Sequence, residues 1–156
     1  MPVRRKEKEV CNPEVMERLL NSAKVIHIAM NDEGEPYIVP MLFGYRDGSI
    51  FLHSAKEGRK VEVWRRGGKV CFEVEELGDI QRKELPCKWT LDYVSVIGWG
   101  QPHIIEDETS MRKGLDVIME HYGGRPPFEY SEALLSKTLV VRIDIISMTC
   151  KRSISP

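Results

Sequence analysis

What the 156-residue chain lacks narrows its function before any motif is read. Its four cysteines, Cys11, Cys71, Cys87 and Cys150, include no C-x-x-C pair, and its four histidines, His27, His53, His103 and His121, show no H-E-x-x-H or comparable spacing. A structural zinc site needs such clustered ligands, so the expectation is no metal and free thiols. Cys71, between Val70 and Phe72, is expected to pack as a small apolar side chain. Positive charge is not in excess: 23 Lys and Arg against 24 Asp and Glu give a formal net charge of −1. Without a basic field, sequence-independent nucleic-acid binding loses its main source of affinity, and no nucleic-acid partner is expected. No apolar run approaches the roughly 20 residues needed to cross a bilayer. Residues 1–9 are charged, with no apolar stretch behind them. The chain is expected to be soluble and cytoplasmic, with no membrane partner.

One domain covering residues 1–156 can bury roughly two thirds of the surface its unfolded chain exposes. Residues 1–9 are expected to be flexible or held on the surface. Asn12-Pro13-Glu14 reads as a helix start, with Asn12 as N-cap, and Val15, Met16, Leu19 and Leu20 give that helix one apolar stripe. Strand patterns follow: 25–30, a turn at 31–35, 36–45, an Asp47-Gly48 hairpin turn, and 49–53. Pro40 cannot donate to a ladder, so its strand should bulge or lie at an edge. Residues 58–66 read as a short helix with Val61 and Trp64 inward, ended by Gly67-Gly68. Residues 69–74 read as a strand, 78–85 as either exposed strand or loop, and 89–100 as a long strand. Gly98 and Gly100, two apart, leave one face of that strand bare, open to a flat ligand or to another backbone, or letting the strand coil sharply at a barrel corner. Residues 107–122 form the clearest amphipathic helix, 132–136 one helical turn, and 138–149 a final strand with Leu139, Val141, Ile143 and Ile145 on one face. The expected fold is mostly β with helical cover, an antiparallel barrel of six or seven strands.

The stretch from Phe51 to Lys60 passes from strand, through small residues, into a helix. Such a junction can hold a phosphate, because the first N–H groups of a helix have no partner inside it and the dipole makes that end positive. Ser54 adds a hydroxyl, Gly58 permits close approach of backbone, and Arg59 and Lys60 add charge-assisted donors. The same residues also suit a plain helix start, with Ser54 as N-cap, Gly58 in the turn, and Arg59 and Lys60 on a solvated face.

Taken as a set, Val39-Pro40-Met41-Leu42-Phe43-Gly44-Tyr45, then His53-Ser54-Ala55-Lys56-Glu57-Gly58-Arg59-Lys60, then Val70-Cys71-Phe72-Glu73-Val74, then Tyr93-Val94-Ser95-Val96-Ile97-Gly98-Trp99-Gly100 resemble the pyridoxamine 5′-phosphate oxidase-like flavin-binding split barrels. Within them the chain is most similar to the nitroimidazole-resistance branch. The resemblance implies an FMN-binding split barrel that forms a homodimer, with FMN in a cleft between the two barrels. It implies that Val39, Pro40, Met41 and Leu42 face the isoalloxazine. It further implies that His53, Ser54, Ala55, Gly58, Arg59 and Lys60 surround the ribityl phosphate and its approach. Tyr93, Ser95, Val96 and Gly98 would complete the wall, with Trp89 contributed by the partner chain.

The implied activity is that of an FMN-dependent oxidoreductase, in which NAD(P)H or a protein donor loads the flavin and a small electron-poor, nitroaromatic-like substrate is reduced. His53 is the catalytic candidate, since an imidazole titrates near neutral pH; its other role is a hydrogen bond to phosphate or backbone. Cys150 stands where relatives commonly carry glycine, and residues 151–156 show no Arg-x-His-type motif of true pyridoxamine phosphate oxidases, which makes vitamin B6 oxidation the lesser reading. Two alternatives remain: a non-catalytic protein that binds or stores flavin, and a relative holding haem through His27 or His103, or a deazaflavin.

Overall fold

The computed structural model describes residues 4–153. The expected flexibility of residues 1–3 lies outside that range. Residues 6–9 take the second of the two expected states, held on the surface: Lys6–Lys8 form a single 3-10 turn, and β1 (Glu9–Val10) pairs with the last strand through Glu9↔Lys151 and Val10↔Cys150. The chain continues through α1 (Pro13–Ser22), β2 (Ile26–Asp32), β3 (Glu35–Met41), β4 (Phe43–Arg46), β5 (Ser49–Ala55) and α2 (Arg59–Arg66). It ends with β6 (Val70–Gln81), β7 (Thr90–Ile105), α3 (Glu108–His121), α4 (Glu132–Leu135) and β8 (Thr138–Arg152). Asn12 caps α1 as expected, its side chain accepting from the Glu14 N–H at 2.9 Å; at α3 the cap is Asp107, which accepts from the Ser110 N–H at 2.8 Å. Among the described residues no helix is long and apolar enough to cross a membrane.

Among the described residues all strand pairs are antiparallel and the sheet has eight strands, against the six or seven expected. The extra ones are the short β1 and the division of 36–45 into β3 and β4. The main path runs β3-β2-β6-β7-β8-β5-β4, so its two end strands are separated in the chain by Leu42 alone. Two residues of chain span at most about 7 Å. The sheet must therefore curl until its edges meet, although among the described residues no ladder joins β3 to β4. The result is a barrel split along one seam. Pro40 sits in edge strand β3, opposite His27 of β2, where its missing N–H costs no ladder bond on the free side. Just past the crossing, the Tyr122 hydroxyl accepts the Phe43 N–H at 3.1 Å and donates to the Lys24 carbonyl at 2.7 Å, fastening the start of β4 to the end of α1's connection.

The barrel interior is filled by Ile26, Ile28, Phe43, Ile50, Leu52, Phe72, Val74, Val96, Val141 and Ile143, with Leu19 and Leu20 of α1 and Val61 and Trp64 of α2 packed into the same core. α3 lies outside, pressing Met111, Leu115 and Ile118 onto Phe51 and Val140. It can approach because position 44 is glycine: a Cβ there would stand 2.6 Å from the Val117 carbonyl oxygen.

The bare face at Gly98 and Gly100 is not open to a ligand. Gly98 pairs with Phe72, and a Cβ on Gly98 would run into that ring, 2.6 Å from Cε1; a Cβ on Gly100 would meet Ile143 and come 3.0 Å from the Asp144 carbonyl oxygen. The barrel's own side chains occupy the space. Beyond Val94, β7 pairs only with β6, and residues 77–81 and 90–93 project as a two-stranded arm that resolves the 78–85 stretch into strand to Gln81 and then loop. Leu77, Ile80, Leu85 and Trp89 are exposed on or beside this arm.

Candidate functional site

The seam leaves strand edges without partners. β5 pairs with β4 only as far as Phe43↔Leu52, so His53, Ser54 and Ala55 keep β8 on one side and, among the described residues, have no strand on the other. Leu42 precedes the partner of Leu52, so the end of β3 opens beside this unpaired length of β5. Strand alternation sends His53 to the outer face with Val140, and Ser54 to the inner face with Leu139.

The chain then turns into α2, and here one expectation is corrected. Ser54 is not the N-cap: β5 runs on to Ala55, the Ser54 hydroxyl donates to the Ala55 carbonyl at 2.8 Å, and Gly58 takes the cap position with φ 119°. Glycine adopts that angle without strain. No side chain caps this helix; the Val61 and Glu62 N–H groups both donate to the Gly58 carbonyl, at 2.9 and 3.2 Å, and the N–H groups of Arg59 and Lys60 have no such bond. A Cβ at position 58 would meet nothing within 4 Å, so the space before the helix is open. Lys60, half-buried, forms no ion pair among the described residues. A positive helix end, free N–H groups and an unneutralised ammonium are the groups that can hold an anion.

His53 feels this environment. Its pKa is held below the usual imidazole value, first by burial and second by the Lys60 charge, so the ring is neutral at pH 7. The unfolded chain therefore takes up this proton first on acidification, and stability falls as pH drops below about 6.5 toward the folded midpoint. Lys60→Ala should raise the His53 midpoint, though not to the ordinary value, because burial is the larger cause. A histidine NMR titration reads it, and an unchanged midpoint would mean that the two side chains do not face each other.

Arg59 is already engaged: its Nε donates to Asp32 Oδ2 at 2.5 Å, and its guanidinium lies 4.5 Å from the centroid of the Tyr37 ring. Neither Asp32 nor Tyr37 is marked by local pattern; one reads as a turn residue and the other as a strand aromatic.

The remaining expected residues fall into two groups. Val39 and Met41 pack inward on the core, whereas Pro40 and the 53 % exposed Leu42 face out, so the end of β3 offers its backbone edge and these two side chains. On β7, Tyr93 and Ser95 lie on the outer face, but Val96 and Gly98 face the interior, leaving only their backbone for any ligand. Along β8, His53 is opposite Val140 and Ser95 opposite Lys151, eleven residues further on. At about 3.3 Å per residue that is roughly 36 Å. Trp89 is further still, its indole N–H donating to the Lys83 carbonyl at 2.8 Å. A single chain does not bring Trp89, Tyr93 and Ser95 to the α2 junction.

The outer face of β3-β2-β6-β7 carries Ile38 and Ile97 exposed, with His27 Nδ1 3.4 Å from Glu73 Oε2 between them. His103 likewise stands 3.4 Å from Asp144. Both histidines proposed as haem ligands thus face carboxylates. Two cavities, about 630 Å³ beside Leu19, Val25 and Leu77 and about 430 Å³ beside Glu17, Tyr45 and His121, lie away from the junction.

The family model described as pyridoxamine 5′-phosphate oxidase matches residues 12–152. The chain belongs to the pyridoxamine 5′-phosphate oxidase family. Among solved structures this family member is similar to a provisionally assigned 5-nitroimidazole antibiotic resistance protein from Bacteroides thetaiotaomicron, with 30% identity, TM-score 0.82, and coverage of 92% of this chain and 86% of that one. It shares its fold with the FAD and heme binding protein from Mycobacterium smegmatis, at 20% identity and TM-score 0.87, over 95% of this chain and 74% of that one. The same holds for the flavocytochrome Anf3 from Azotobacter vinelandii, at 18% identity and TM-score 0.85, over 99% and 73%. No curated protein matches the chain.

Proposed function

We propose that this pyridoxamine 5′-phosphate oxidase family member binds FMN at the α2 junction and along the barrel seam. As a homodimer, it would reduce a small electron-poor aromatic of the nitroimidazole kind with electrons from NAD(P)H or a protein donor. The observation that carries the reading is the uncapped N-terminus of α2, with the N–H groups of Arg59 and Lys60 offered outward beside the unpaired Lys60 ammonium. This donor set suits a phosphate monoester. The seam suits a flat ring, because the edge of β3 from Val39 to Met41, with Leu42 after it, has no strand beside it among the described residues and so leaves backbone polar groups, Pro40 giving a carbonyl but no N–H, for a ligand. The 5-nitroimidazole description of the 30% identical relative supports the substrate class, and the FAD and flavocytochrome descriptions of the fold neighbours support a flavin. The four free thiols fit a cytoplasmic setting.

FMN, when bound, supplies the electron and hydride transfer that side chains cannot. The chain's own part is to hold and to exclude. Lys60 and the first-turn N–H groups anchor the phosphate; Pro40 and Leu42 flank the ring; His53, neutral at pH 7, serves as a hydrogen-bond partner rather than as a proton store. A second copy supplies the missing wall: the exposed Ile38 and Ile97 on the outer sheet face, and Leu77, Ile80 and Trp89 on or beside the arm, are apolar side chains of the kind that dimers bury.

The test is to purify the protein without added cofactor, record its visible spectrum and elution mass, and weigh what heat releases. An oxidised-flavin spectrum with an FMN mass on a dimer, followed by anaerobic NAD(P)H oxidation that depends on a 5-nitroimidazole, is the expected result. A Soret band, or a colourless protein that refuses FMN, overturns the reading; FMN without turnover of any acceptor leaves a flavin store.

A further inference from the structure

Arg59 and Arg66 are two helical turns apart and project from one side of α2. Both reach the same carboxylate at the end of β2: Arg59 Nε donates to Asp32 Oδ2 and Arg66 Nη2 to Asp32 Oδ1, while Arg66 Nη1 stands 3.9 Å from Glu33 Oε1. Asp32 is thus joined to the first and the last turn of α2 at once. Its side chain is only 18% exposed, which limits how far water can replace these bonds. Tyr37, on the facing strand of the same hairpin, lies against the Arg59 guanidinium. Arg59 therefore uses one nitrogen on Asp32 and one face on Tyr37, and among the described residues its two Nη groups have no partner. A guanidinium held in this way has lost most of its rotational freedom before any ligand arrives, so binding costs it little further order.

We infer that Asp32, assisted by Tyr37, is a positioning residue for the phosphate end of the cofactor site: it aims the Arg59 Nη groups and the first turn of α2 so that they converge with Lys60 on one phosphate. The inference rests on the flavin reading above. The opposite role, in which Asp32 competes with the ligand for Arg59, has the opposite sign and can be told apart.

FMN and riboflavin differ only in the phosphate, so the ratio of their dissociation constants, measured by flavin fluorescence quenching on the 156-residue chain, isolates that end of the site. Wild-type protein should bind FMN more tightly than riboflavin. Asp32→Asn should weaken FMN about tenfold while leaving riboflavin nearly unchanged. Tyr37→Leu should weaken FMN less, and Asp32→Glu should recover part of the loss. Equal losses for both flavins would mean that Asp32 merely supports the fold, and FMN affinity unchanged or tighter in Asp32→Asn would mean that it competes; either overturns the inference. A wild-type protein that binds flavin but does not distinguish FMN from riboflavin sinks the phosphate assignment itself, before any variant is made.

Discussion

Replacing Lys60 by alanine is expected to weaken FMN binding by roughly 10- to 100-fold, the equivalent of one charge-assisted hydrogen bond. The reason is specific to this side chain. Arg59 is held by Asp32, and Arg65 pairs with Glu62, whereas Lys60, in the first turn of α2, has no carboxylate partner among the described residues. Adding Ser54→Ala should change little more, because the Ser54 hydroxyl already donates to the Ala55 carbonyl on the inner side of β5. Titration of the single and double variants with FMN checks both statements. Unchanged affinity in Lys60→Ala would move the phosphate site elsewhere; a further large loss in the double variant would show that the hydroxyl swings from Ala55 to the ligand.

Gly98→Ala should destabilise the fold by about 3 kcal/mol, at the upper end for overpacking a core. The added methyl has nowhere to go: Phe72 is 1% exposed, its ring covers Gly98, and Val74 and Val96 close the neighbouring pair of the ladder. Urea unfolding monitored by circular dichroism gives the number. The companion change Phe72→Leu should remove the clash and recover part of the loss, so the double variant should be more stable than the sum of the single losses implies. A cost below about 1 kcal/mol for Gly98→Ala would mean that the ring can yield and that this face of β7 is less filled than the structure shows.

These two positions mark where reading by pattern succeeds and where it stops. Asn12 before Pro13, Asp47-Gly48 between two strand runs, and Gly67 after Trp64 each act on neighbours a few residues away, and each does in the structure what its chemistry dictates. The alternation of Leu139, Val141 and Ile143 likewise placed one face of β8 in the core. Gly98 was equally visible, but whether its bare face met a ligand or a ring depended on which residue of β6 lay opposite, and register across a sheet is not a local property. Ser54 looked like a helix cap because small polar residues suit caps; the ladder from His53 to Ala55 with β8 extended the strand past it and handed the cap to Gly58.

What the amino-acid sequence determined by itself was the inventory: a mostly β chain with amphipathic helices, a strand-to-helix junction rich in phosphate-suited donors, and motifs whose order matched a family. What only the tertiary structure decided was the arrangement of that inventory around the seam. The crossing at Leu42 joins the two ends of a seven-strand path, Asp32 reaches arginines 27 and 34 residues away, and Tyr122 bridges α3 to the first residue of β4. Contacts of that range arise when a sheet curls and brings distant segments into register, and the information for them is spread over every strand, so no stretch of the chain read alone carries it.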